Sequence, residues 1–282
     1  MTENNSVPYQ LLIHGERIQG DDIAEAVINP RTGHTIADIP QASAEQVDAA
    51  VDSARSAFKR WKRTSPSERA AHLLAIAAAI EANSQALCAL ETLNCGKPGR
   101  QVAEEEIPAA ADVFRFFAAA VRTRTAPAAG EYMPGYTSMV RRDAIGVVGT
   151  IAPWNYPLMM AAWKIAPAIA AGNSMVFKPS EQTPLTALFL AGLINDILPP
   201  GVVNIIPGRG DSVGSQLINH KGISMASLTG DISTGQKVLQ ASVSNIKRTH
   251  LELGGKAPVL VLEDADVDAV AAGVSQYGYY NA

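Results

Sequence analysis

The pattern of apolar and polar positions changes texture near residue 144. Before it, apolar residues recur at helical spacing. The stretch "SAEQVDAAVDSARSAFKRW" places Val47, Ala50, Val51, Ala54, Phe58 and Trp61 along one side of a helix, and its Ser43/Gln46 pair has the spacing of a capping box. An alanine-rich segment from Glu68 to about Leu93 predicts a second helix, and "EEEIPAAADVFRFFAAAVR" predicts a third. The first third of the chain is therefore expected to be largely helical. It ends in "TAPAAGEYMPGYTS", whose turn-forming residues predict a surface excursion.

From Ala144 onward the texture is a regular alternation. The short apolar runs "IGVVGTI", "SMVFK", "VVNII", "GISMASL" and "THLEL" are separated by helical segments beginning near Leu158, Thr183, Asp211 and Ser233. Repeated strand–helix–strand order implies a parallel sheet covered on both faces. Right-handed crossovers make such a sheet doubly wound, with ligands at the carboxyl ends of its strands. The expected class is α/β, with a Rossmann-like core. Five turns fall at those ends: "APWN", "KPSE", "PGRG", "TGDISTG" and "ELGGK". Glycine and proline also simply end strands, a reading that is stronger for any one turn than for all five together.

Each turn has a chemical reading. "TGDISTG" runs from a strand into a helix whose free N–H groups suit a phosphate, although it is not G-x-G-x-x-G. In "KPSE", Lys178 and Glu181 offer a cation and an acid to the hydroxyls of a ribose. An acid facing the 2′-hydroxyl would repel a 2′-phosphate. Asn155, fixed between prolines, can donate to a developing oxyanion or, as turn asparagines commonly do, bond its own backbone. Glu252 closes an apolar run before a double glycine, as a catalytic carboxylate would be presented.

Composition narrows the classes. With 282 residues, 47% hydrophobic and 18% charged, the chain can bury a large core. A net charge of −4 supplies no general attraction to nucleic acid or to an anionic membrane. The start "MTENNSVPYQ" lacks the basic and apolar regions of a signal peptide, and no apolar run is long enough to cross a bilayer, so a cytoplasmic location is expected. Cys88 and Cys95 lack metal-ligand spacing and the five histidines are scattered, so no metal site is expected.

The segments "PWNYPLMMAAWKIAPAIAAGN", "FKPSEQTP", "PGRGDSVG", "LTGDISTG" and "LELGGKAPVLVLEDADVD", with "INPRTG" nearer the start, resemble the NAD-dependent aldehyde dehydrogenase superfamily over essentially the whole chain. "DVFRFFAAA" and "GYYNA" look most like its aminoaldehyde group, especially gamma-aminobutyraldehyde dehydrogenases. The resemblance implies an NAD-binding domain over residues 1–129 and 143–252, an oligomerisation hairpin over 130–142, and the start of a catalytic domain over 253–282. Asn155 would serve the oxyanion of a thiohemiacetal, Glu252 would be the general base for thioester hydrolysis, and Lys164 matches a family lysine near the catalytic centre. Ala152, Pro153 and Trp154 would line the cofactor cleft, with Lys178, Ser180 and Glu181 on the ribose side and Gly210, Gly230, Asp231, Ser233 and Thr234 at the phosphate turns.

Asp231 departs from the family pattern, which has a small hydroxyl residue there. A carboxylate beside a pyrophosphate weakens binding unless it points away or is paired. The family's nucleophilic cysteine is expected beyond Ala282, and neither Cys88 nor Cys95, both in the early helical region, is expected to replace it. The chain standing alone is then expected to be inactive, with the apolar face of its last segment uncovered. The parent enzyme is expected to be a dimer or tetramer acting on a small aldehyde such as 4-aminobutanal, with betaine aldehyde and succinate semialdehyde as alternatives. A nucleotide-binding or interaction module is the competing class. An ammonium-bearing substrate calls for acids at the tunnel mouth, for which Glu105, Glu106 and Asp112 are candidates; a solvated acidic helix start, which the macrodipole favours anyway, is the more common explanation.

Overall fold

A computed structural model describes residues 9–125 and 129–281. Residues 1–8 of the opening segment, residues 126–128 of the turn-rich stretch, and Ala282 lie outside the described residues. The chain begins with strands β1 (Leu11–Ile13) and β2 (Glu16–Ile18), then β3 (Ala24–Ile28) and β4 (Thr35–Pro40). Helices α1 (Ala44–Trp61), α2 (Pro66–Ala82) and α3 (Ser84–Cys95) follow. A short turn α4 (Gly99–Gln101) then runs through a π-helical segment (Val102–Glu106) into α5 (Ile107–Thr123). Strands β5 (Gly130–Met133) and β6 (Tyr136–Ser138) form a separate two-stranded hairpin. The alternating half is β7 (Val147–Ile151), α6 (Pro157–Ala170), β8 (Ser174–Lys178), α7 (Leu185–Asn195), β9 (Val203–Ile205), α8 (Ser215–Asn219), β10 (Met225–Gly230), α9 (Ile232–Val243), β11 (Arg248–Leu253) and α10 (Val267–Gly278).

The main sheet has the order β11-β10-β7-β8-β9-β1-β2. Its five strands from the alternating half pair in parallel, and β1 joins β9 antiparallel. Every residue of β7 and β8 is buried, as required of parallel strands covered on both sides. Successive residues serve opposite layers. Val148, Met175 and Phe177 pack with α2, α5, α6 and α7, while Val147 and Val176 pack with Val47, Ala50 and Val51 of α1. A third cluster joins Ala226 and Leu228 of β10 to Val238 and Ala241 of α9.

Several sequence expectations need correction. The first third is not simply helical: four short strands precede α1. β1 and β2 have three residues each, too few to display an alternating pattern, and they meet at His14 and Gly15, whose φ values of 57° and 77° suit a tight hairpin turn. The helix expected from Glu68 to Leu93 is two helices bent by 72° at Asn83, whose Nδ2 turns back to donate to the Ala79 carbonyl. Ser65, not Glu68, starts the first of them through a capping box. The expected capping box of α1 is present, with Ser43 Oγ accepting from Gln46 N–H and the Gln46 side chain accepting from Ser43 N–H. The apolar run "APVLVL", within the expected start of a catalytic domain, has no ladder and leaves Val259, Leu260 and Leu262 exposed, because among the described residues no strand pairs with it. No single helix among the described residues is long and apolar enough to cross a membrane.

Candidate active site

The strands run outward from β7 in opposite directions: β8 and β9 to one side, β10 and β11 to the other. Such a reversal opens a crevice at the carboxyl ends of the strands, where helices leaving the two sides diverge. A cleft of about 690 Å³ lies there, lined by Ile151 at the end of β7, Glu181 after β8, Arg209, Gly210 and Asp211 after β9, and Thr234 on α9. That volume is within the range of small-molecule and cofactor sites. A Cβ on Gly210 would meet no atom within 4 Å, so its backbone faces open space.

Lys178, at the end of β8, is almost wholly buried, and all three of its ammonium hydrogens are used inside the protein. Nζ donates to the carbonyls of Pro179 and Gly208, both at 2.7 Å, and to Glu181 Oε2 at 3.2 Å. Burial lowers its pKa, and the Glu181 carboxylate opposes that shift. Lys178 thus ties the β8 turn to the β9 turn and holds Glu181, which is one-third exposed, at the cleft wall. Gly208 makes this tie possible. Its φ is 153°, and a Cβ there would lie 2.2 Å from Val213 Cγ2. We expect Gly208→Ala to cost about 1–3 kcal/mol in urea unfolding, from backbone strain and overpacking.

The turn expected to hold phosphate has its carboxylate engaged within its own helix. Asp231 is the N-cap of α9: its Oδ2 accepts from the Ser233 N–H at 2.7 Å, and hydrogen bonds to Ser233 hold its pKa low. The carboxylate therefore occupies one of the free amides at the start of α9. Gly235 lets this helix sit close to β11, since a Cβ there would come within 2.8 Å of the Leu253 side chain.

Asn155 sits in the turn between β7 and α6. Its Oδ1 is buried without a hydrogen-bond partner, and its own carbonyl accepts from Asn281 Nδ2 at 3.1 Å. The turn is anchored from behind by groups that the sequence pattern did not single out for this place. Glu91 accepts from the Leu158 N–H at 3.3 Å and from Thr186 Oγ1 at 2.7 Å, pinning the start of α6. Lys97 donates to both oxygens of Glu106 at 2.8 Å, and its Nζ lies 3.6 Å from the ring centroid of Tyr156. All three charged side chains are buried. Burial pushes Glu91 up to about 7, against the hydrogen bond from Thr186 and the charge of Lys97. Cys95 Sγ lies 4.0 Å from the Trp154 carbonyl, so it is nearer this turn than its position in the early helices suggested. Its thiol is pushed up by burial and by the charge of Glu91, which makes it a poor nucleophile.

Trp154 lines a different cavity, of about 670 Å³, together with Arg31, Cys95 and Thr183. Ala152 is buried and its N–H joins the Lys178 carbonyl at 3.1 Å, and Pro153 is half-buried. Ser180 Oγ accepts from the Gln182 N–H at 3.2 Å. Of the residues expected to bind cofactor, Glu181, Gly210 and Thr234 line the cleft at the strand ends; Gly230 and Ser233 lie at the adjoining turn into α9.

Lys164 lies within electrostatic reach of Glu252, although no ion pair or hydrogen bond joins them. Lys164, on α6, is buried against β10 and donates from Nζ to Ser227 Oγ at 3.0 Å; Ser227 Oγ is 3.1 Å from Nδ1 of His250 on β11. The parallel register pairs Ser227 with His250 and Thr229 with Glu252, so these four share one face while Leu228, Leu251 and Leu253 turn toward α9. Burial lowers the Lys164 pKa to about 8, and the Glu252 carboxylate opposes the shift. The alternation in "HLEL" places His250 beside Glu252 from sequence alone, whereas Ser227 required the register of the neighbouring strand. Of the three acids considered for a substrate mouth, Glu105 accepts from Tyr280 OH at 2.5 Å, Glu106 is committed to Lys97, and Asp112 is exposed on α5.

The profile of the aldehyde dehydrogenase family matches residues 18–282. A Mycobacterium bovis protein named "Probable aldehyde dehydrogenase" is 43% identical over 235 residues, which is 83% of this chain and 46% of the relative. An NAD+ complex of a Bacillus cereus aldehyde dehydrogenase superimposes with a TM-score of 0.91 at 36% identity, covering 95% of this chain and 55% of that one. A Staphylococcus aureus betaine aldehyde dehydrogenase solved with NAD+ does so with a TM-score of 0.92 at 33% identity, covering 96% and 56%. The chain spans about half the length of the relatives it matches. With the α/β core, the crevice at its strand ends and this extent of likeness in view, the chain belongs to the aldehyde dehydrogenase family.

Proposed function

We propose that this chain forms the coenzyme-binding part of an enzyme that oxidises an aldehyde to a carboxylate with NAD. The observation that carries the reading is the cleft at the strand reversal, with a carboxylate held at its wall by a fully bonded buried lysine. Its size and its mix of apolar and polar walls fit an adenosine, and Glu181 is placed to accept from a ribose hydroxyl. Lys178 acts here by positioning Glu181, since its own donors are spent. Gly230, Ser233 and Thr234 stand at the phosphate end, where Asp231 competes for the Ser233 amide. NAD, once bound, supplies the hydride acceptor.

The remaining roles belong to the chain's own side chains. With Oδ1 buried, Asn155 offers Nδ2 to an oxyanion forming at the substrate carbonyl carbon. Glu252 takes a proton from the water that hydrolyses the acyl intermediate. Lys164 and Ser227 lie behind it. Neither thiol of this chain is the nucleophile in this reading: Cys88 donates to the Gly99 carbonyl, and Cys95 is held protonated.

The substrate proposed is a cationic aldehyde such as 4-aminobutanal. Glu105 supports this, because Tyr280 links it to the segment whose Asn281 contacts Asn155. The likeness to a betaine aldehyde dehydrogenase fits the same preference, betaine aldehyde being a cation too. A homo-oligomeric enzyme acting in the cytoplasm is part of the same proposal. Residues 130–138 suit a pairing role, since the β5–β6 hairpin stands off the main sheet with Tyr132, Met133 and Tyr136 exposed.

Titration calorimetry of the chain with NAD and NADP tests the coenzyme site. NAD is expected to bind at least roughly tenfold more tightly, because a 2′-phosphate would meet the Glu181 carboxylate in a partly dry cleft. Glu181→Gln should narrow the difference. Tighter binding of NADP by the unaltered chain would remove Glu181 from the ribose.

A further inference from the structure

Gln41, the residue that follows β4, is only 6% exposed, and its side chain crosses to the turn after β9, 168 positions further along the chain. Its Oε1 accepts from the Arg209 N–H at 2.9 Å and from Ser212 Oγ at 3.3 Å, and its Nε2 donates to Glu25 Oε2 at 3.4 Å. Next to it, the Ala42 N–H donates to the Pro207 carbonyl at 3.0 Å. Residues 207–212 leave the three-residue β9 and enter the π-helical turn Gly210–Gly214, so they find few partners in regular structure. Gln41 supplies the missing acceptor.

That turn carries much of the cleft. Arg209, Gly210 and Asp211 line it, and the Gly208 carbonyl accepts from Lys178 Nζ, the ammonium that also holds Glu181. The approach of the glutamine is close, since a Cβ on Gly208 would lie 3.3 Å from Gln41 Oε1. Glu25, bonded by Gln41, pairs with the Arg209 guanidinium at 3.5 Å, and Asp211 meets the same guanidinium at 3.6 Å. Contacts therefore run from Gln41 through the backbone of Arg209 and Gly208 to Lys178 and on to Glu181. Gln41 itself is not part of the cleft lining.

We propose that Gln41 is a positioning residue for the coenzyme cleft. By fixing the turn at 207–212 it sets where the Gly208 carbonyl stands and, through Lys178, how firmly Glu181 is held at the wall. The inference rests on the reading of this cleft as the NAD site. A carboxylate fixed in place discriminates against a 2′-phosphate, because it cannot turn aside to water; one on a loosened support can, and the discrimination falls.

The test is a double-mutant cycle on the chain itself, read by titration calorimetry with NAD and NADP. Gln41→Met fills a similar volume but removes the acceptor, and Gln41→Leu is a companion substitution with the same expectation. With Glu181 present, Gln41→Met should narrow the preference for NAD over NADP at least roughly threefold; with Glu181→Gln already in place it should leave the preference unchanged. A merely structural glutamine would weaken both coenzymes alike. Exchanging the pair, Gln41→Glu with Glu25→Gln, keeps an acceptor for the Arg209 N–H and should restore the preference. Equal narrowing in both backgrounds, no narrowing in either, or an exchanged pair that behaves like Gln41→Met would overturn the proposal. A second measurement needs no coenzyme: NMR hydrogen exchange at the Arg209 amide and at the Lys178 ammonium, both expected to quicken at least roughly tenfold in Gln41→Met. Faster exchange at Arg209 with Lys178 unmoved would show that the effect of Gln41 stops at the turn, and would sink the proposal. An unaltered chain that binds neither nucleotide would count against the coenzyme reading, and the exchange at Lys178 would still decide whether Gln41 acts on the support of Glu181.

Discussion

Glu252→Gln, in a protein extended to the length of its relatives, is expected to give one rapid burst of NADH followed by a steady state slowed roughly 10²–10⁴-fold. The amide keeps the shape of the side chain at the end of β11, where position 252 faces Thr229 of β10, but it cannot take a proton from water. Oxidation of the first aldehyde does not need that proton transfer; hydrolysis of the acyl intermediate does. Stopped-flow absorbance resolves the two phases. Loss of the burst together with the steady state would assign Glu252 to an earlier step, and unchanged turnover would remove it from the reaction.

The second large effect concerns the buried charges behind Asn155. Lys97→Met is expected to cost about 3–5 kcal/mol, because it strips Glu106 of its partner in a dry interior. That is a large share of the stability of any domain. Replacing both partners, Lys97→Met with Glu106→Leu, should recover much of it in urea unfolding, since no buried charge is stranded. Glu91 adds a pH dependence of definite sign. Its folded pKa is raised from 4.5 to about 7 by burial, so folding takes up a proton between those values. The contribution is full below about 4.5 and is lost as the pH rises through 7, roughly 3 kcal/mol in all. Glu91→Gln should flatten that slope of the unfolding free energy. An identical slope in the variant would place the proton uptake elsewhere.

The alternating half of the fold was legible because its signals are local. "SMVFK" is a fully buried strand, as is the "VVGTI" of β7, and their apolar character is nearly unbroken along the run. The turns at the strand ends are equally local, and so the positions of Glu181, Gly210 and Thr234 around one crevice could be expected from the order of the elements. The two faces of "THLEL" follow from the two-residue period of a strand, which already puts His250 and Glu252 on one side.

Associations between distant positions were not legible in the same way. β1 to β4 have strands of three to six residues whose stability comes from partners elsewhere in the chain, so nothing in their own pattern announces them. Asp231 read as a repulsive neighbour for phosphate, yet it is the cap of its own helix, a fact set by the backbone geometry at that turn. Lys178 read as a ligand for ribose, yet its donors are filled by Pro179, Gly208 and Glu181. Glu91, Lys97 and Glu106 look like ordinary helix-surface charges until α3, α6 and the π segment close around them. The doubly wound class, the strand-end crevice and the residues flanking it were thus contained in the order of amino acids, because periodicity and turn chemistry act over a few neighbouring positions. Which charges are buried, which donors are spent and which groups form the line from Lys164 to His250 came from the folded arrangement, because burial and hydrogen-bond pairing depend on register and packing between segments far apart in the chain.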